Sequence, residues 1–157
     1  MTSPHKVMAA VDLSDYSPVT IRYSLWLAEK TNAAELILVN VINQRDLEMV
    51  RRAMIGYDTF SYPSYLEEQI KSRKTHIAEM LAAAKPGTVP CRTLVREGIP
   101  YYVLLETIKE ESPAMLVMST KGRSNLVDVV VGSTARKMFR RSPIPLVTIP
   151  AAFGTSA

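Results

Sequence analysis

Short apolar runs that alternate with amphipathic stretches constrain this chain more than any other feature. Residues 7–11 (VMAAV), 35–41 (ELILVNV), 114–118 (AMLVM) and 145–149 (PLVTI) show almost no polar alternation and are too short for helices. Such runs suit strands covered on both faces, as in a parallel sheet. Residues 91–97 (CRTLVRE) do alternate, and they carry Arg92 and Arg96, which predicts an exposed edge strand.

Helical stripes fill the intervals. Ile21, Ser24, Leu25 and Ala28 recur behind Ser17, expected as an N-cap, and Pro18, expected at the first helical position. Leu66, Ile70, Ile77, Met80, Leu81 and Ala84 form a longer stripe that Lys85-Pro86-Gly87 ends. Tyr101, Leu104, Leu105 and Ile108 follow Gly98 and Pro100, while Val131, Ala135 and Met138 share a face of a helix opening near Gly132. Strands alternating with helices predict an α/β fold: a five-stranded, doubly wound parallel sheet with right-handed crossovers. Residues 43–63 fit this rhythm least. Their first half is helical in pattern, their second half is aromatic and turn-rich with Gly56 and Pro63, and they read as helix or loop.

The chain has 157 residues and neither an internal repeat nor a low-complexity tract, so one domain is expected. An apolar share of 47% against 22% charged residues excludes a disordered tail or a fibre. No apolar run approaches the roughly 18–20 residues that cross a bilayer, and residues 1–12 hold no apolar core followed by a small-residue cleavage site, so an unexported chain is expected. With a single cysteine, Cys91, and no Cys/His spacing suited to zinc, a reducing cytoplasm is the expected compartment. Cys91 itself reads as a half-buried strand residue, and neither His5 nor His76 has an evident partner for catalysis.

Charge is unevenly placed. Lys121, Arg123, Arg136, Lys137, Arg140 and Arg141 are opposed only by Asp128 over residues 121–141. Either this is a solvated helix face, or it attracts phosphate from a nucleotide, a nucleic acid or a lipid head group. In open parallel sheets, ligands bind beyond the carboxyl ends of the strands where strand order reverses. Two such ends are furnished: Val11-Asp12-Leu13-Ser14 after the first strand, and Ser119 to Ser124 after the fourth. If those strands are neighbours, the two loops face each other. Gly132-Ser133-Thr134 then opens a helix whose first amides and dipole favour an anion. Neither a Walker A loop nor a G-x-G-x-x-G fingerprint occurs.

What does occur is Ser119-x2-Gly122-x9-Gly132-Ser133-Thr134, which resembles the G-x2-G-x9-G-(S/T) signature of the universal stress protein family. KVMAAVDLSDYS, ELILVNVI, EGIP and GSTARKMFRRSPIPLVTIP are similar to that family as well, so the resemblance spans nearly the whole chain except residues 43–63. It implies one Rossmann-like domain with its core at about residues 5–150 and a variable insert at about 43–65. The implied sheet is open and twisted, in the order 3-2-1-4-5. It further implies a site for an adenine nucleotide: ATP, or else ADP or AMP, with Mg or Mn bridged through the phosphates. On the family pattern Ala10, Val11 and Asp12 contact the nucleotide, with Asp12 on adenine or ribose hydroxyls, and the Val41 backbone holds adenine. Met118, Ser119, Gly122, Gly132, Ser133 and Thr134 take ribose and phosphates, and Arg123 joins them by its charge. A homodimer through the last strand, at 145–149, and a regulatory protein partner in stress response complete the expectation, with no role for membrane or nucleic acid.

Ser119 departs from the signature, where the family has glycine. A left-handed backbone there would cost a serine on the order of 1–2 kcal/mol. Close approach of a ligand would be obstructed by a Cβ, although the hydroxyl offers a compensating hydrogen bond. Two alternatives therefore stay open at this point: a nucleotide-free dimeric interaction protein, and a slow ATPase.

Overall fold

The computed structural model describes residues 5–122 and 131–153. Among them are five strands: β1 (Lys6–Ala10), β2 (Glu35–Asn43), β3 (Cys91–Gly98), β4 (Met115–Ser119) and β5 (Leu146–Ile149). The helices are α1 (Ser17–Lys30), α2 (Gln44–Ala53), α3 (Tyr62–Ala83), α4 (Pro100–Glu111) and α5 (Ser133–Arg141). All strand pairs are parallel, in the order β3-β2-β1-β4-β5. The doubly wound sheet expected from the sequence is therefore present, with β1 beside β4.

Alternation along the central strands sorts the core into two layers. Val7, Ala9, Leu36, Leu38 and Val117 pack with Ile21, Leu25 and Ala28 of α1 and Ile77 of α3. Met8, Ile37, Val39, Leu116 and Met118 point the other way, onto Leu104 and Ile108 of α4 and Ala135 and Met138 of α5. Register follows from this sorting: Met8 lies opposite Ile37 and Leu116, so a slip of one residue would exchange the two layers. Each fully buried Leu, Ile or Met contributes about 1.5–3 kcal/mol.

β3 is half-buried along most of its length, as an edge strand should be. Arg92 uses its position there to bridge Glu35 and Glu111 at 2.8 and 2.6 Å, and Lys6 reaches Glu111 at 3.2 Å. α3 lies over this edge, so of its stripe only Ile77 is fully buried.

Two helix starts differ from expectation. Ser17 is the first residue of α1, behind Tyr16, and its hydroxyl donates to Asp12 Oδ1 at 3.1 Å. Pro63 sits within the first turn of α3, where a missing N–H costs nothing, and Ser61 accepts from the Ser64 amide. The stretch at 43–63 thus divides into α2, capped by the Asn43 side chain, and a turn in which Gly56 has φ 91°. No helix among the described residues is long and apolar enough to cross a membrane.

Candidate functional site

β1 leads to β2 on one side, and β4 to β5 on the other, so the chain leaves the centre of the sheet in opposite directions. A crevice opens at the carboxyl ends of these strands, with a volume of about 290 Å³, near the lower end of the roughly 300–1,000 Å³ of ligand pockets. Its walls are Ala10, Val11 and Asp12 after β1, Val39, Val41 and Asn43 of β2, and Pro100 and Leu104 of α4. Met118 and Ser119 of β4, Thr120 to Gly122, and Gly132 to Ala135 are its other described walls.

Backbone hydrogen bonds and one buried amide hold the first wall. The Val11 amide donates to Val39 O at 2.8 Å, and Asn40 Nδ2 donates to Val11 O at 2.6 Å. Asn40 is fully buried, and its Oδ1 accepts from Arg73 of α3 at 3.1 Å. A buried polar group needs such partners, and here they fix the peptide that precedes Asp12. The Asp12 carboxylate is oriented in turn: Oδ1 accepts from the Ser14 amide at 3.0 Å and from Ser17 Oγ at 3.1 Å. Leu13, between them, takes a left-handed φ of 63°, a conformation costing a non-glycine residue on the order of 1–3 kcal/mol.

The second wall is shaped by close approach. A Cβ on Gly122 would stand 2.6 Å from Asp12 Oδ2. The Gly132 amide donates to Thr120 O at 2.6 Å, and a Cβ there would lie 3.4 Å from that oxygen. Neither glycine has positive φ; at Gly122 the Asp12 carboxylate leaves no room for a side chain, whereas at Gly132 a Cβ would meet its neighbours at ordinary van der Waals distance. Gly132 in extended conformation precedes α5, and no side chain among the described residues caps that helix. Its first-turn amides and positive dipole end therefore lie at the crevice that Ser133, Thr134 and Ala135 line.

Ten of the eleven residues expected from the sequence meet in this one crevice: Ala10, Val11, Asp12, Val41, Met118, Ser119, Gly122, Gly132, Ser133 and Thr134. Arg123 lies outside the described residues. Val39, Asn43, Pro100, Leu104, Thr120 and Ala135 line it too, as does Lys121, which was read only for its charge. Leu104 and Ala135 carry the sequence pattern of core residues and line the crevice as well. Asn40 escapes the sequence reading, although a polar residue inside an apolar strand is a visible signal for it. His5 is bonded to Thr31 Oγ1 at 3.0 Å and His76 is exposed, both outside the crevice. Cys91 is half-buried in β3, and burial pushes its thiol up, away from reactivity.

Residues 4–150 match the family model described as the universal stress protein family. The universal stress protein YxiE of Bacillus subtilis is 25% identical over 147 residues, covering 92% of this chain and 98% of that protein. The solved structure of hypothetical protein MJ0577 superposes with a TM-score of 0.72 at 21% identity, covering 94% of this chain and 96% of that one; by its name that protein is from Methanocaldococcus jannaschii. A universal stress protein in complex with cAMP has a TM-score of 0.63 at 19% identity, covering 94% and 98% of the two chains. One from Archaeoglobus fulgidus in complex with dAMP has a TM-score of 0.59 at 13% identity, covering 95% and 99%. With a family match over almost its whole length and the same sheet order, this chain belongs to the universal stress protein family.

Proposed function

We propose that the chain binds an adenine nucleotide, ATP foremost, in the β1/β4 crevice and acts as a regulatory dimer. One observation carries the reading: a helix start that no described side chain caps, two glycines and an oriented carboxylate converge on one crevice. Amides at the start of α5 suit phosphate oxygens, and small residues at 122 and 132 let a ligand approach the backbone. Asp12, with Oδ1 engaged, has Oδ2 to accept from a ribose hydroxyl or the adenine amine. The apolar Val39, Val41 and Leu104 offer a surface for the base, and a divalent cation would be held by the phosphates and not by a protein cage. Two relatives of the same fold carry cAMP and dAMP, which supports an adenine ligand.

Asp12 is the only carboxylate among the described residues that line the crevice. An acid–base pair for hydrolysis is not offered, so binding is preferred to slow ATP cleavage. β5 forms the outer edge of the sheet, and pairing with a second copy along it is the dimer we propose.

Heat release of ligand from freshly purified protein, followed by chromatography and by titration of emptied protein with Mg-ATP, tests the reading. Adenine nucleotide in the released fraction, or saturable Mg-ATP binding, is expected. A protein that emerges empty and gives no binding heat with Mg-ATP overturns it and leaves a nucleotide-free interaction protein.

A further inference from the structure

Ser133 borders two concave surfaces. It lines the crevice, and it also begins a groove of about 290 Å³ along α5 whose other walls among the described residues are Arg136, Lys137, Arg140 and Arg141. These positions follow the spacing of one helix face, opposite the buried Ala135 and Met138. α5 contains no acidic residue, and among the described residues no carboxylate lies within ion-pair distance of these four cations. Arg136 and Arg140, like Lys137 and Arg141, stand four residues apart, where like charges repel. An anion lying along the stripe removes that repulsion. Lys137 Nζ and the Arg141 guanidinium rest 4.6 and 4.9 Å from the ring centre of Tyr101 in α4. That contact holds two of the charges in place. Arg136 and Arg140 are exposed.

We infer that this stripe receives the far phosphates of a longer ligand: the site is built for an adenine nucleotide whose phosphate chain continues past the third phosphate. Adenosine tetraphosphates and dinucleoside polyphosphates are the chemical class. The inference rests on the nucleotide reading of the crevice. Phosphates held at the start of α5 are already beside Ser133. From there the helix rises about 4.5 Å to Arg136 and about 10 Å to Arg140, so a lengthening chain meets one arginine and then the next. Each guanidinium presents a planar fork that pairs two phosphate oxygens, which a lysine cannot reproduce. Continuity with the crevice through Ser133 favours this ligand over a separate nucleic acid or acidic protein, neither of which needs to begin there.

Calorimetric titration with AMP, Mg-ATP and Mg-adenosine 5′-tetraphosphate tests it, on wild type and on the double variant Arg136→Ala/Arg140→Ala. Wild type is expected to bind the tetraphosphate about tenfold more tightly than ATP, the size of one charge-assisted contact. The double variant should lose that preference and keep its affinity for AMP, which also reports that it has folded. Arg136→Lys/Arg140→Lys should restore only part of the preference. Equal binding of ATP and tetraphosphate by wild type, or a preference that survives in the alanine variant, overturns the inference and leaves the nucleotide reading standing. Failure of all three nucleotides to bind wild type overturns both.

Discussion

Ser119 Oγ and Thr20 Oγ1 stand 2.6 Å apart, joining the last residue of β4 to the buried face of α1. The single hydroxyl proton of Thr20 goes to Tyr16 O at 2.9 Å, so Ser119 is the donor of the pair. The lone pairs of Ser119 stay available to the crevice it lines. Ser119 belongs to a strand and is absent from the positive-φ residues, so a serine at this signature position meets no left-handed backbone. Ser119→Gly removes this hydrogen bond and adds backbone freedom. We expect unfolding free energy to fall by about 1–2 kcal/mol, read from urea denaturation. A variant as stable as wild type would refute the pairing.

Gly122 should tolerate no side chain if the crevice is to keep its shape. A methyl group there would press on Asp12 Oδ2 from 2.6 Å, while Oδ1 is tied to Ser14 and Ser17. The carboxylate must rotate away and surrender those bonds. Because the backbone at Gly122 is not left-handed, Gly122→Ala should still fold, less stable than wild type by about 1–3 kcal/mol for the hydrogen bonds given up. Its Mg-ATP affinity should drop at least about tenfold, equivalent to about 1.4 kcal/mol. Unchanged affinity in calorimetry would remove Asp12 from the proposed contacts.

Acid should weaken the β3 edge before the rest of the molecule. Arg92 and then Lys6 hold the Glu111 carboxyl well below its ordinary value, at about 2, and Arg92 lowers Glu35 as well. Because the folded-state values are depressed, their contribution is complete above the unfolded value near 4.5 and is lost as pH falls towards 2. The Arg92 side chain is 40% exposed, so solvent screening limits the loss to about 1 kcal/mol. Urea midpoints at pH 7, 4 and 2.5 should therefore fall less steeply in Glu111→Gln than in wild type. Parallel slopes would show that the bridge is neutral.

The proposed dimer edge can be broken selectively. Leu116 N bonds Pro145 O and Thr120 N bonds Ile149 O, so odd-numbered residues of this strand face β4. By strand alternation the Val147 amide is turned inward and the Thr148 amide outward. A proline at Val147 would damage the sheet itself. Thr148→Pro should instead give a folded monomer by light scattering. A dimer that persists would exclude pairing through β5.

Much of this architecture is legible in the chain because buried parallel strands must be continuously apolar, as VMAAV and AMLVM are, and because an exposed edge must alternate, as CRTLVRE does. The stretch at 43–63 resists such reading because α2 buries only Leu47, too little to imprint a period. At the crevice, Gly122, Gly132 and Ser133 are readable through their resemblance to the family signature, Asp12 through its place at the end of β1 and Asn40 as a polar residue in an apolar strand, whereas Thr20, Pro100 and Arg73 are not.

Sequence by itself determines the order of strands and helices along the chain, and its resemblance to the family signature implies the residues that meet where β1 and β4 part. Only the tertiary structure decides which groups stand opposite them. It gives Ser119 a partner 99 positions away and turns Gly122 towards Asp12. It also anchors Val11 through Asn40 to a helix beyond the next strand. These are contacts between segments remote in sequence, and local periodicity records burial without recording which buried or polar group stands opposite.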